Sequence, residues 1–238
     1  MNIRFLGTGF GAPYKNRHQQ SILIETGEYT YLFDAGAPVC DILSFMEYDM
    51  SRIKTVFISH LHGDHMNGLN DMINLAEFFN IRCDIFLSEQ RGIDAFGCYS
   101  YMQLGNRISD RISFRLIDEG CFYDDGAIKV TAVHNGHMKG LPSYSFLIEA
   151  EEKKVYITND LSPDMSDIPD HISKISPDLF ITEAAHFTAE EIVKKCNGLE
   201  LKKVGFVHVM PPEKYEEIKK APKSFEAIYP NDGEVYVI

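Results

Sequence analysis

Short apolar runs, many of them β-branched or aromatic, recur along the chain, and several close on a residue of metal-ligand type. The opening NIRFLGTGFGAP (2–13) is a strand running into a glycine-rich turn. SILIET (21–26) and TYLFD (30–34) flank Gly27-Glu28-Tyr29 at hairpin spacing. PVCDILSFMEYD (38–49) carries apolar positions at helical spacing, with Pro38 suited to a first turn. TVFIS (55–59) predicts a buried strand, and residues 66–80 predict a helix with Met72, Leu75, Ala76 and Phe79 on one packed face. Residues 90–110 are helical in part, with Tyr99, Tyr101, Met102 and Leu104 either packing or lining a pocket. DIFLSE (84–89), RISFRLI (111–117) and AIKVTAVH (127–134) read as strands. SYSFLIEA (143–150) and KKVYITND (153–160) form a hairpin around Glu151-Glu152. DLFITEA (178–184), KKVGFVH (202–208) and the final EVYVI are further strands, with helices at 188–196 and 211–221.

No repeat, low-complexity tract or linker interrupts this order. Strand runs with helices between them in both halves predict one α/β domain over residues 1–238, built of two sheets packed face to face and flanked by helices. Residues 7–12 also match a loose dinucleotide-binding glycine pattern. That reading needs a helix directly after the turn, and PYKNRHQQ has no apolar helical period, so a strand-to-loop turn is preferred. The hydrophobic fraction of 45% and charged fraction of 24% are those of an ordinary globular chain with a full core. No run approaches the roughly 20 apolar residues of a membrane span, and the first residues lack signal-peptide architecture. Five scattered cysteines without a C-x-x-C offer no cysteine zinc site and favour reduced thiols, hence a cytoplasmic location. A net charge of −12 argues against a broad electrostatic grip on nucleic acid, but leaves room for a small anion at a local cationic centre.

The densest chemistry lies at HLHGDH (60–65), where His60, His62, Asp64 and His65 follow directly on TVFIS. Imidazole and carboxylate are the usual nitrogen and oxygen donors to a metal, and Gly63 allows a tight turn between them. Three later strands also end on such a residue: AIKVTAVH on His134, VYITND on Asp160 and VGFVH on His208. A lone strand-end histidine is more often packed or hydrogen-bonded than metallated, but four coincidences in one chain favour a shared centre. Strand C-terminal ends are where α/β proteins gather their sites.

These segments, with FLGTGFGAP, YLFDAG, the stretch from His134 to Ser143-Tyr144, ITEAAH and FVHVMP, resemble the metallo-β-lactamase superfamily of hydrolases and its ribonuclease Z-like branch. The resemblance implies a four-layer αββα sandwich with a dinuclear site in one edge. It assigns His60, His62 and His134 to one metal, Asp64, His65 and His208 to the other, and Asp160 to both. Two divalent cations less two carboxylates stay positive even with a bridging hydroxide, so the centre would attract a phosphate ester, polarise it and supply the nucleophile. The mixed ligands suit zinc, with manganese or iron as alternatives. His137 competes with His134 in HNGH, and His134 is preferred because the strand pattern puts it at the strand end. Asp64 is expected both to ligate and to orient the nucleophile. His186 resembles the branch's proton donor to the leaving group, and Asp34 and Glu183 are expected to orient ligands. His18 and His171 receive no role.

Ribonuclease Z enzymes carry a basic arm between the third His ligand and the bridging Asp, and use it to grip transfer RNA. Here a single hairpin separates His134 from Asp160, so transfer RNA is not the expected partner. A small phosphodiester, such as a cyclic nucleotide or cyclic sugar phosphate, is expected instead, with no membrane partner; the resemblance allows a homodimer. Asn159 stands where glycine usually precedes the bridging Asp, and Val207 where a hydroxyl residue commonly precedes the last His. The rivals are a lactone or thioester hydrolase using the same metals, a diiron oxidoreductase, and a non-catalytic metal-dependent sensor. A diiron site would have Glu in place of His62, and the full ligand set disfavours the sensor.

Overall fold

The computed structural model describes residues 1–238 other than 13, 15, 28, 106–108 and 212, and leaves out the side chain of Leu104. Pro13 of the opening turn, Glu28 of the first hairpin, the end of the 90–110 stretch and Pro212 before the last helix thus lie outside the described residues, as does the packing of Leu104. The first half runs β1 (Asn2–Gly7), β2 (Ser21–Thr26), β3 (Tyr29–Phe33), α1 (Val39–Phe45), β4 (Ile53–Phe57), α2 (Gly63–Met66), α3 (Leu69–Asn74), β5 (Cys83–Leu87), α4 (Gln90–Leu104) and β6 (Ile112–Leu116). The second runs β7 (Gly120–Asp124), β8 (Lys129–Asn135), β9 (Ser143–Ala150), β10 (Lys153–Ile157), α5 (Ile172–Ile175), β11 (Leu179–Glu183), α6 (Ala189–Asn197), β12 (Lys203–Val207), α7 (Lys214–Lys220), β13 (Glu226–Ile228) and β14 (Val235–Val237).

Among the described residues the strands form two seven-stranded sheets, ordered β14-β1-β2-β3-β4-β5-β6 and β13-β12-β11-β10-β9-β8-β7. Each is mixed: β1 to β3 and β7 to β10 pair antiparallel, whereas β3 to β6 and β10 to β13 pair parallel. Period-two alternation explains why the inner strands are apolar on both faces. On β2 and β3, Ile22, Ile24, Tyr31 and Phe33 point between the sheets and meet Phe146, Ile148, Val155 and Ile181. Leu23 and Leu32 point outward, under α1 and α3. Tyr156, Phe180 and Phe206 likewise face outward onto Ile192, Val193 and Ile218 of α6 and α7. Three apolar layers therefore separate four layers of structure, the αββα sandwich of the metallo-β-lactamase fold.

Of the helix expected over 66–80, only α3 (Leu69–Asn74) forms: α2 ends at Met66 and residues 75–80 are turns. Gly68 lies against the backbone that follows β3, where its N–H donates to Ala35 O at 2.8 Å. A Cβ at Gly68 would stand 2.5 Å from Val39 Cγ1 and 2.8 Å from Ala35 O, so only glycine fits where the chain passes this close and gives its N–H to Ala35. Met72 and Ala76 are buried as expected, whereas Leu75 is exposed. On α4, Tyr99, Tyr101 and Met102 are exposed, and Tyr101 and Met102 line an open surface pocket with Phe114, away from the metal-ligand side chains. The short β7 and β13, which carry weak apolar patterns, were not expected. No helix among the described residues is long and apolar enough to cross a membrane.

Candidate metal centre

The C-terminal ends of β3, β4, β10, β11 and β12 open on one edge of the sandwich, and the residues just past them turn inward. Asp34, Asn159 and His208 do so with left-handed backbones, at φ of 54°, 51° and 51°. Asp, Asn and His are the non-glycine residues that enter this region most readily. Asn159 thereby supplies the conformation a glycine would, and its Nδ2 also donates to Tyr144 O at 2.8 Å. Gly63 is not needed for a left-handed turn; it opens α2, with His62 as the preceding cap residue.

Asp160, 2% exposed, is the hub. Its Oδ2 lies 3.8 Å from His60 Nε2, 3.4 Å from His137 Nε2 and 3.5 Å from His208 Nε2. Its Oδ1 lies 3.3 Å from His65 Nε2. Asp64 Oδ2 completes the far side, 3.8 Å from His65 Nε2 and 3.6 Å from His208 Nε2. His62 Nδ1 stands 3.0 Å from His60 Nε2 and 3.2 Å from His137 Nε2. Donor atoms thus fall into three overlapping groups: His60, His62, His137 and Asp160; Asp64, His65 and His208; and Asp160, His186 and His208.

The structure does not bring His134 into any of these groups, and this corrects the sequence expectation. The strand runs one residue further, to Asn135; His134 shares the face of Val130 and Ala132 but is exposed at the strand's end, its ring edge-on to Tyr144 at 6.1 Å, while Asn135 on the other face is buried. The loop after β8 folds back and delivers His137 instead, whose Nδ1–H donates to Leu161 O at 3.2 Å. The other expected ligands, His60, His62, Asp64, His65, Asp160 and His208, are all brought together.

Hydrogen bonds behind the site fix which ring nitrogens face it. Asp34 accepts from the Ser59 N–H at 2.8 Å, the Ser59 hydroxyl at 3.0 Å and His65 Nδ1–H at 2.7 Å. Ser59 Oγ in turn lies 3.0 Å from His60 Nδ1, which donates to it. The Nε2 atoms of His60, His65 and His137 are thereby aimed at the centre. Glu183, 1% exposed, accepts from the Leu161 N–H at 2.7 Å and from His186 Nδ1–H at 2.6 Å. His186, exposed at the rim, is within reach of Asp160 and His208. Gly11 abuts Asp64, and a Cβ there would meet its Oδ2 at 3.0 Å. Phe10, which the sequence did not single out, lays its ring edge-on to His208 at 5.2 Å and His186 at 5.8 Å. His18 is hydrogen-bonded to Asp232, and His171 precedes α5; neither belongs to the cluster.

Burial and mutual repulsion press the His60 and His62 imidazoles toward neutrality, and burial does the same to His208. Burial opposes charge on His65 too, but the Asp160 and Asp34 carboxylates outweigh it and raise its pKa well above the ordinary range. Burial likewise opposes the charge of Asp160, yet the His208, His65 and His60 rings hold it far below the carboxylate range. Even so, His65 Nε2, Asp160 Oδ1 and both nitrogens of His208 are buried without a hydrogen-bond partner among the described residues. Buried polar atoms are normally paired, so the three that converge here, His65 Nε2, Asp160 Oδ1 and His208 Nε2, need another occupant. A divalent cation fits: His60, His62 and His208 are pressed toward the neutral form that binds one, Asp160 is ionised, and the cation would take the place of the proton that Asp160 and Asp34 favour on His65.

The family model described as "Anti-Pycsar protein Apyc1" matches residues 1–199, a span that includes His60 through His186 but not His208. Ribonuclease Z of Geobacillus kaustophilus is 32% identical over 151 residues, 62% of this chain and 48% of that protein. Ribonuclease Z of Anoxybacillus flavithermus is 33% identical over the same shares. The chain spans about half the length of the curated relatives it matches. Among solved structures, the metallo-β-lactamase fold protein YhfI from Bacillus subtilis superposes with a TM-score of 0.78 at 18% identity, covering 99% of this chain and 98% of that one. The short form of human tRNase Z gives 0.76 at 20% identity, covering 100% and 99%. A diphosphatase of the PhnP family gives 0.72 at 16% identity, covering 100% and 97%. At these identities the likeness is one of fold.

Proposed function

The chain belongs to the family of the anti-Pycsar protein Apyc1, and from that footing we propose that it is a metal-dependent phosphodiesterase acting on a small phosphodiester. The observation that carries the reading is the convergence of five imidazoles and two carboxylates around Asp160 with buried donor atoms left unpaired. His60, His62, His137 and Asp160 would hold one divalent cation, and Asp64, His65, His208 and Asp160 the second, zinc suiting this donor set. When bound, such ions supply positive charge for an anionic phosphoryl group and make water a nucleophile at neutral pH. The rest is done by the chain. Asp64, less deeply buried than Asp160, faces the rim where a water would enter and accepts its hydrogen bond. His186 is held by Glu183, which fixes its Nδ1 as donor, leaves Nε2 toward the cleft, and raises the imidazole pKa. In its imidazolium form that Nε2 carries a proton for the departing oxygen. Phe10 walls the cleft beside it.

The likeness to ribonuclease Z relatives supports phosphodiester chemistry, and the short connection from His137 to Asp160 together with the acidic charge supports a small substrate. The test is a panel of bis-aryl phosphodiester, cyclic nucleotides, lactones and thioesters offered to protein reconstituted with zinc, manganese or iron. Hydrolysis of phosphodiesters with about two ions per chain is expected. Turnover confined to lactones or thioesters would overturn the reading, and none at all would leave a binding protein.

A further inference from the structure

Lys214 opens α7 just beyond His208, and it is a lysine only 8% exposed. Its ammonium points away from solvent into the loop between β11 and α6. There Nζ donates to Ala184 O at 2.7 Å, Ala185 O at 3.0 Å and Phe187 O at 2.8 Å. An ammonium has three N–H donors, so these three carbonyls saturate it. The carbonyls flank His186 on both sides in sequence, and the backbone must curl around one cation to deliver them. Burial of a charge is costly unless it is fully paired, which makes this arrangement stiff. Among the described residues, the hydrogen bonds of His186 go to Glu183 alone, from its backbone N–H at 3.1 Å and its ring Nδ1–H at 2.6 Å. Glu183 thus fixes the ring, and the ammonium fixes the peptide units on either side of it.

We propose that Lys214 is a positioning residue: by gathering the carbonyls of residues 184, 185 and 187 it holds His186 where its imidazole reaches the leaving group. The inference deepens the reading above and rests on His186 as proton donor. Lys214 touches no substrate in this scheme and acts only through the loop. The consequence is chemical. Loss of the clamp must hurt poor leaving groups, which need a proton, more than good ones, which do not.

The test compares metal-loaded wild type, Lys214→Met, His186→Ala and the double variant on bis(4-nitrophenyl) phosphate and on diphenyl phosphate. Lys214→Met is expected to lower kcat on diphenyl phosphate about tenfold more than on the nitrophenyl ester, within the range general acid catalysis supplies. It should add nothing in the His186→Ala background. Equal losses on both esters, additive in the double variant, would overturn the proposal. A second readout needs neither metal nor turnover. In metal-free protein, amide hydrogen exchange at residues 184–188 should quicken in Lys214→Met while β10 and β12 stay protected, and unchanged exchange would overturn the clamp. Lys214→Gln keeps a donor in the same space and should fall between the two; failure of both variants to fold would show a structural role and sink the positioning one. Should the wild type hydrolyse neither ester, the phosphodiesterase reading fails on its own, and exchange still decides the loop contact.

Discussion

Two polar clusters sit at opposite ends of β4, and they are built in opposite ways. Near the start of the strand, Asp125 accepts from Lys54 Nζ at 2.6 Å, Tyr31 OH at 2.7 Å and Tyr123 OH at 3.0 Å. It also accepts from the N–H groups of Ala127 and Ile128, each at 3.0 Å. Both of its oxygens are engaged, and so are the groups around them. Past the other end of β4, His65, Asp160 and His208 are more deeply buried, yet present atoms with no hydrogen-bond partner among the described residues. Fully paired polar groups in a sandwich hold it together; unpaired ones held in place by a paired shell are prepared for something else. The difference between the clusters is therefore one between stability and function.

That contrast can be broken experimentally. The largest effects should come from the unpaired cluster: Asp160→Ala and His62→Ala are expected to cut turnover by about a thousandfold or more, as loss of one member of an interdependent set does. Circular dichroism and melting of the metal-free variants should match wild type; a variant that unfolds would assign these residues to the scaffold. Next comes the pair His137 and His134. His137→Ala should weaken metal binding by more than the roughly 10–100-fold typical of an outer partner, whereas His134→Ala should leave metal content and melting unchanged. Elemental analysis of both variants decides, and the reverse result would return the third imidazole to β8.

Asp34→Asn should have an intermediate effect, about 10–100-fold in metal affinity, because it disturbs Ser59 and His65 rather than the ion itself. Competition with a chelating dye measures it. Smallest in activity is Asp125→Ala, which should cost about 1–3 kcal/mol of stability by stranding its donors and leave kcat as it was. Its sign with pH is set as follows. Burial works against the Asp125 charge, but the Lys54 and Tyr31 donors outweigh it and depress its pKa well below the usual value. A depressed carboxylate contributes stability above its unfolded pKa near 4 and loses it as pH falls toward the folded one. Urea midpoints of wild type and variant should thus converge on acidification, and parallel midpoints would show that the charge is not what matters.

Much of this was legible in the chain because strands buried on both faces leave continuous apolar runs whose ends are easily found. TVFIS, KKVYITND and KKVGFVH led to His60, Asp160 and His208, and the hairpin at Glu151-Glu152 stands as read, with φ of 51° and 60° at its two residues. What failed was decided by tertiary contact. His134 lies on the strand face that the pattern assigns it, and it is the loop after β8, tied through His137 to Leu161 O, that decides which imidazole reaches the centre. The break at Gly68 follows from a neighbour that periodicity does not record. Lys214 and Phe10 carried no local signal; a lysine among glutamates at a helix start reads as a solvated one.

The placement of the donors across the two sheets has a further result. His60, His62 and His65 follow a strand of one sheet, whereas His137, Asp160 and His208 follow strands of the other. An ion shared between them is a cross-link that closes loops through most of the chain, much as a disulfide would. The first of these residues meets the last only after β12 has paired, near the end of the sequence. Such long-range contacts form late in folding, so an ion would be captured by an assembled sandwich and would then slow its coming apart.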